Sequence, residues 1–371
     1  MHIHEVNTKQ LQYQFVQCAS TFYLNDVNYI PHLKQDIVPI FDPQKNTLLK
    51  EGKINAWLLL NDSNIIIGRI AAFYDANQLK SKIGGVGFFE SIDNIEAAKL
   101  LFETAEKWLE NQGFIGVDGP INFGERDKYW GLLTTENAIP SYQENYNPNY
   151  YQNLFESNSY QLLFQQLTSE ISVDTFNIDR FRNMANRVFQ NQTLSFKHFK
   201  IKELNRFAND FVTIYNQAWQ HRPDFTPITL DRILTTLNSL KPILIEEGIW
   251  FAYGNNQPAG FFVAIPEVNQ LFKHVNGNLN WLGKIKFLFY RHFGRIDKMR
   301  GIVFGIIPSY QNQGLETGLI MKFYEAMLKA KRFKTCELAW IGDFNPKMQS
   351  LIQSLGANTS KIHYTYRKMF S

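Results

Sequence analysis

The chain has 371 residues, 44% apolar and 19% charged, with a net charge of +4 and two cysteines. That length exceeds one ordinary core and predicts two domains, and the balance of apolar and charged residues excludes a disordered chain. The charge is too small to argue for nucleic acid, no Lys/Arg tract or zinc spacing supports one, and no apolar run approaches the ~20 residues of a membrane helix. Met1-His-Ile-His-Glu-Val6 lacks the regions of a signal peptide, and Cys18 and Cys336 read as two buried thiols, so the expected compartment is the cytoplasm.

In chain order, Ala56 to Leu60 and Ile65 to Phe73 read as neighbouring strands joined at Asn61-Asp62-Ser63, with Gly84 to Phe89 as a third. Ala97, Ala98, Leu101, Ala105, Trp108 and Leu109 recur at helical spacing, and Gly113 stops that helix. Phe114 to Val117 follows as a short strand. Ile121 to about Tyr146 is a long insertion, too apolar for disorder, and is expected to pack as a lid or an interdomain wall. Asn147-Pro148 opens a further helix pattern, and Tyr160 to Ile171 reads as a closing hairpin. The boundary falls near Ser172, giving domains at 1–172 and 173–371, with Asp174 to Gln190 as a connecting helical segment.

Two helices open the second half, with Asn216, Trp219 and Phe225 around their link. The segment 271–300 then interrupts a minimal plan and sets seven Lys/Arg against one acid, Asp297. On a helical wheel Trp281, Leu282, Ile285, Leu288, Phe289, Phe293 and Ile296 share one arc; Lys284, Arg291, Arg295 and Lys298 share another. Such a segment either lies in a bilayer interface, its basic residues near lipid phosphates, or packs on its own domain with the basic side solvated.

Next, the apolar strand Ile302 to Ile307 breaks at Pro308, turns through Gly314 and feeds a helix over about Thr317 to Arg332. Backbone N–H groups at such a helix opening can hold a pyrophosphate. Cys336 to Ile341 is another strand, Asn345-Pro346 opens a short helix, and Lys361 to Arg367 closes the chain as a second hairpin. The halves thus repeat one order of elements, which is a stronger signal than either copy alone. Where the second half has its glycine turn, the first has Glu90-Ser-Ile-Asp-Asn-Ile-Glu96, so a cofactor site is expected only in the second.

This order resembles the GNAT acyltransferase superfamily, whose loop reads Gln/Arg-x-x-Gly-x-Gly/Ala. Gln311-Asn-Gln-Gly314-Leu-Glu316 matches the first two anchors and departs at Glu316. Nearly end to end, the chain also resembles the bacterial ceramide synthase-like proteins. The matching motifs are Gly87-Phe-Phe-Glu90, Gly119-Pro-x-Asn122-Phe123, Gly131-Leu-Leu133 and Asn147-Pro-x-Tyr-Tyr151 in the first half. In the second they are Asn216-x-Ala-Trp219, Phe225-x-Pro227-x-Thr229, Pro266-x-x-Asn269-Gln270, Asn276-Gly277, Pro308-x-Tyr310 and Glu337-Leu-x-Trp340.

The resemblance implies two tandem α/β (α+β) GNAT-like domains, each a mixed, mainly antiparallel sheet flanked by helices, in a monomer with a pseudo-dimeric domain pair. It implies N-acyl transfer from acyl-CoA or acetyl-CoA to a small-molecule or lipid amine, without a metal. Backbone at Ile306 and Ile307 would hold the pantetheine, and Gln311, Asn312, Gln313, Gly314, Leu315, Glu316 and Thr317 the pyrophosphate. Glu337 is the first choice as general base, or else a carboxylate paired with a neighbouring Arg or Lys. Tyr310 would protonate the leaving thiolate or simply pack; Asn345 would bond the cofactor or cap the next helix. Asn216, Trp219 and Phe225 would shape the acceptor pocket. Two other functions stay open: a catalytically degenerate CoA-binding or scaffold protein, and a tandem transferase using aminoacyl-tRNA, against which the lack of a basic coiled-coil arm counts.

Overall fold

The computed structural model describes every residue except 125, 127, 222–224 and 371. The N-terminal half begins with β1 (His2–Glu5), α1 (Lys9–Gln17), α2 (Lys34–Ile37), β2 (Lys53–Leu60), β3 (Ile66–Tyr74), α3 (Ala76–Ser81) and β4 (Ile83–Ser91). It continues with α4 (Ile95–Asn111), β5 (Gly116–Gly119), the two-residue β6 (Leu132–Leu133), α5 (Tyr151–Ser157) and β7 (Gln161–Ser172). The C-terminal half runs α6 (Ile178–Gln190), β8 (Leu194–His198), α7 (Leu204–Trp219), α8 (Leu230–Leu240), β9 (Ile249–Gly254), β10 (Gln257–Pro266) and α9 (Asn269–Phe272). It ends with α10 (Trp281–Phe293), β11 (Lys298–Ile306), α11 (Leu315–Ala330), β12 (Thr335–Gly342), α12 (Pro346–Ser354) and β13 (Asn358–Met369). The architecture is the mixed α/β class expected, a mainly antiparallel sheet flanked by helices.

Helix α4 shows how the pattern becomes structure. Asn94 caps it by accepting from the Ala97 amide, and Ala97, Ala98, Leu101, Phe102, Ala105 and Leu109 are all fully buried. Each buried Leu or Phe contributes about 1.5–3 kcal/mol relative to exposure. The helix sits close because Gly68 and Gly84 face it; a Cβ at Gly84 would stand 2.6 Å from Leu109.

Among the described residues one sheet runs β1-β2-β3-β4-β5-β13-β7-β12-β11-β10-β9-β8, with β6 paired to β13. The two expected hairpins are instead two single long strands, β7 and β13, paired antiparallel with each other. β7 also lies against β12 of the other half, and β13 against β5 of the other half. Each half thus lends its last strand to the neighbour, and alternation alone could not distinguish a long strand from a hairpin.

The 121–146 insertion packs against this seam as a wall; its residues 125 and 127 lie outside the described ones. Glu144 contacts Lys361 and reaches Arg300 at 2.7 Å. Glu337 is paired with Lys361 at 2.9 Å and Arg300 at 3.3 Å, and accepts from Ser141 at 2.6 Å. Asn269 donates to the Pro140 carbonyl at 2.9 Å. Burial works against the charge on Glu144, but Lys361 and Arg300 overcome it and hold the carboxyl far below its usual range. Lys361 is only 3% exposed, so its removal strands buried carboxylates. We expect Lys361→Met to lower stability by about 3–5 kcal/mol, read as a fall in the urea midpoint.

Candidate active site

Strands β11 and β12 run side by side only where Lys298–Gly301 oppose Thr335–Leu338. Beyond that point β11 stays with β10 while β12 stays with β7, so the two separate. A bulge falls at the fork: Val263 faces Val303 and Ala264 faces Gly301, leaving Ile302 as the extra residue. A cavity of about 770 Å³ occupies the opening. Tyr215, Trp219 and Ile233 from α7 and α8 wall one part, and Phe323, Tyr324 and Met348 from α11 and α12 wall another. The α7 and α11 residues belong to separate cores on the two faces of the sheet, so the cavity joins those faces.

The Ile307 amide donates to the Ala259 carbonyl at 2.9 Å, which makes that cross-strand pair the hydrogen-bonded kind. The next pair, Ile306 with Gly260, is then the other kind, so the Ile306 backbone turns away from β10 and its carbonyl accepts from Gln311. Neither Ile306 nor the 308–317 loop is among the residues lining the cavity. Of the two residues expected to hold a pantetheine, Ile307 is committed to β10 while the Ile306 amide lies off that ladder.

The loop that follows opens α11. Asn312 and Gly314 have φ of 62° and 81°, and Gly314 is the cap residue. The first amides of a helix lack acceptors within it, and such ends favour anions. The side chains of Gln311 and Gln313 donate back to the carbonyls of Ile306 and Ser309, at 3.3 and 2.9 Å, and brace the loop. Leu315 and Thr317 are buried, leaving only their backbone for a ligand, and Glu316 sits half-buried in the first turn.

For each candidate catalytic side chain the structure shows the structural alternative left open by the sequence. Glu337 does not line the cavity; it lies in the ion-paired seam, 1% exposed, as a structural carboxylate. Tyr310 packs over Gly254 and its hydroxyl donates to the Gly254 carbonyl at 3.1 Å, away from the opening. Asn345 lines the cavity, and its side chain caps α12 by accepting from the Met348 amide at 3.3 Å. Asn216 clasps the backbone of Ile228 by two hydrogen bonds, 3.1 and 2.9 Å, and so shapes the wall without entering it. Trp219 lies over Gly305 and lines the cavity, whereas Phe225 stands behind Tyr215 with ring centroids 6.3 Å apart. Among the described residues no Asp, Glu or His lines the cavity.

Sequence reasoning missed Arg126, which the wall of the other half brings to this cavity; its guanidinium lies 5.1–5.8 Å from the rings of Trp130, Phe164 and Trp340. It also missed a second cavity, of about 680 Å³, where β4 and β5 part in the N-terminal half. Glu90 on its wall accepts from Tyr23 and Tyr151 at 2.7 and 2.8 Å and pairs with Arg69 at 3.2 Å. Burial pushes the Glu90 carboxyl up against the pull of Arg69 and the two hydroxyls. The motif residues Glu90, Pro120, Asn147, Asn276 and Gly277 all line this cavity, so their recurrence in the motifs was the available signal. Asn276 and Gly277 come from the C-terminal half, mirroring the way Arg126 roofs the other cavity. At the corresponding helix start, the N-terminal half has Asn94 as cap and Glu96 in the first turn in place of a glycine. Cys18, on the same wall, is pushed up to about 11 by burial, and Cys336 to about 12, so neither is a ready thiolate.

Two forks, β4–β5 and β11–β12, each with a bulge where its first strand meets the strand before it and each followed by a helix, are set in one doubled sheet and define the class: the fold is a tandem GNAT fold. The chain aligns over 99% of its length with a tandem GNAT protein from the clavulanic acid biosynthesis pathway, covering 98% of that chain at TM-score 0.55 and 7% identity. It aligns likewise with the GCN5-related glucosamine N-acetyltransferase region of a fungal β-N-acetylglucosaminidase, at TM-score 0.54 and 10% identity over 38% of that chain. In sequence it is similar to protein YghO of Escherichia coli, 23% identical over 95% of this chain and 92% of that one. It is also similar to the bacterial ceramide synthase of Caulobacter vibrioides, 22% identical over 96% and 94%. No protein-family model matches the sequence.

Two predictions follow from this geometry. A Cβ at Gly314 would meet Val188 at 2.7 Å in a left-handed backbone, so Gly314→Val is expected to cost about 1–3 kcal/mol, measured by thermal unfolding. His32 and His363 are each pushed down to about 4 by burial, with Arg69 adding to the effect at His32. Their unfolded forms take up protons near pH 6.5, so each contributes stability that is full above that pH and lost as pH falls towards 4. Glu90 and Glu267, raised by burial, act with the opposite sign. The melting temperature of His32→Gln/His363→Gln is therefore expected to fall less steeply between pH 6.5 and 4.5 than that of the parent.

Proposed function

We propose that the C-terminal half transfers an acyl group from an acyl-CoA thioester to an amine, with a long-chain lipid amine as the acceptor class. The observation that carries this reading is the succession, in one strand–loop–helix unit, of a forked β11–β12 pair beside a cavity joining both sheet faces and a glycine-capped helix start. In this reading the pantetheine lies along Ile306 and the diphosphate meets the amides from Asn312 to Thr317. The acceptor enters from the side of Trp219 and Ile233. The new bond joins the amine nitrogen to the acyl carbon as the carbon–sulfur bond breaks, and the amine proton leaves with the thiolate or to solvent. An apolar cavity disfavours an ammonium ion, so desolvation supplies a neutral amine where no carboxylate or imidazole stands ready. The mainly hydrophobic walls suit an aliphatic chain better than a polar metabolite. The resemblance to the Caulobacter protein, named a ceramide synthase, supports the same acceptor class.

A second reading, a protein that binds thioester without turning it over, draws on the lack of a base among the cavity's described residues. One experiment separates the two. With acetyl-CoA and long-chain acyl-CoA at 100 times Kd, the folded state gains about 2.7 kcal/mol, seen as a raised melting temperature. Adding a long-chain amine should then release free thiol. Ala339→Trp, which fills the fork, is expected to abolish both signals. A melting shift without thiol release from any amine would leave the binding protein; no shift with either thioester would overturn the donor site.

A further inference from the structure

Helix α10 presents to solvent the side that an amphipathic helix ordinarily buries. It is held to the protein along one stripe only, at Gly283, Phe287 and Tyr290, spaced i, i+4, i+7. Gly283 packs so closely that a Cβ there would stand 1.9 Å from the Asn278 carbonyl oxygen. Phe287 stacks on Phe272 at 5.5 Å, and Tyr290 stacks on His274 at 3.7 Å. Asn280 caps the start by accepting from the Gly283 amide at 2.9 Å, so the element is a built helix with a defined rotation.

The opposite side carries Trp281, Leu282, Ile285, Leu288, Phe289 and Phe293, exposed by 69, 50, 55, 55, 55 and 72%. At 100° per residue these six fall within one continuous arc of the helix, centred opposite the packed stripe. Lys284 and Arg291 border the arc on one margin and Lys286 on the other, all exposed, and Arg295 follows just past the end. His292 is the polar side chain within the arc, and the helix contains no acid. The acid nearest in sequence, Asp297, lies beyond the end and pairs with Arg295 at 3.3 Å.

We propose that α10 docks the protein on an anionic bilayer, lying in the interface with its apolar arc among the acyl chains and Lys284, Lys286 and Arg291 at the level of lipid phosphates. Cations on both margins of an apolar strip match a membrane surface, where charge lies in a plane above hydrocarbon. Their long stems reach up beside the apolar strip while the charged ends stay in water. Of the two arrangements open from the sequence, packing on the protein through the apolar arc is not the one found, since that arc faces outward. The inference stands on α10 and its surroundings and does not depend on the acyl-transfer reading. It has a corollary for access: Asn276 and Gly277, just before this helix, wall the N-terminal cavity, so docking would bring that cavity near the headgroups.

The test is sedimentation of the full chain with vesicles of phosphatidylcholine alone or mixed with phosphatidylglycerol. Binding is expected to rise with phosphatidylglycerol content and fall with salt. Lys284→Glu/Arg291→Glu should weaken partitioning by roughly tenfold or more, since each basic residue near the surface is worth about 1 kcal/mol. Leu288→Glu/Phe289→Glu should abolish it with an unchanged melting temperature, because both side chains are exposed. Failure to bind mixed vesicles would overturn the proposal, as would binding that neither pair of substitutions alters. A dimer in solution that Leu288→Glu/Phe289→Glu converts to monomer, without vesicle binding by the parent, would instead assign the face to a second copy of the chain.

Discussion

The exchange of β7 and β13 is the constraint on which the rest of the molecule depends. Because each half receives its neighbour's last strand, the two sheets become one, and the residues between them are removed from solvent. That burial is tolerable only because the charges meet. Glu144 and Glu337 share Lys361 and Arg300, and Ser141 donates the remaining hydrogen bond. A cluster of this kind gives little net stability relative to a well-packed apolar substitute, but it punishes any misalignment of the partners. It therefore fixes the register in which the halves meet, and with it the roof that each cavity borrows from the other.

The two forks have diverged in chemistry while keeping their shape. In the N-terminal half the cavity is lined by polar and apolar groups about equally, and Glu90 is held by Arg69 and two tyrosines. Its helix start is occupied by an asparagine cap and an acid. In the C-terminal half the helix start is a left-handed glycine and the cavity walls are largely apolar. One half thus has a matched ion pair at its fork, and the other has a glycine-capped helix start and a mainly apolar cavity. One fold can carry unlike sites.

Most of the element plan was legible in the sequence, because it rests on local periodicity. The helix through Ala97, Leu101, Ala105 and Leu109, the strand ending at Ile306 and the Gly314 turn are all where spacing places them. What was hidden is long-range. Nothing in Lys361 to Arg367 announces pairing with a strand two hundred residues earlier, since alternation specifies a face and not a partner. Glu337 stayed undecided between base and ion pair for the same reason: a lone acid on a strand looks available until Lys361, Arg300 and Ser141 are brought to it from elsewhere. Glu90 stood in a motif of the sequence, but its pairing with Arg69 needed the β3–β4 register. The polar tip of the 121–146 wall gave no hint that Arg126 would serve the opposite half.

Because β13 belongs to the C-terminal half, the N-terminal half needs a later part of the chain to come into being. A ribosome delivers the N-terminal half first, yet that half cannot complete its sheet until residues 358–369 have emerged. Until then the open edge of β5 is a strand waiting for a partner, exposed to any other nascent chain. Division of the polypeptide near residue 172 would accordingly yield two fragments, each missing an inner strand, that could recover the native arrangement only by reassembling with each other.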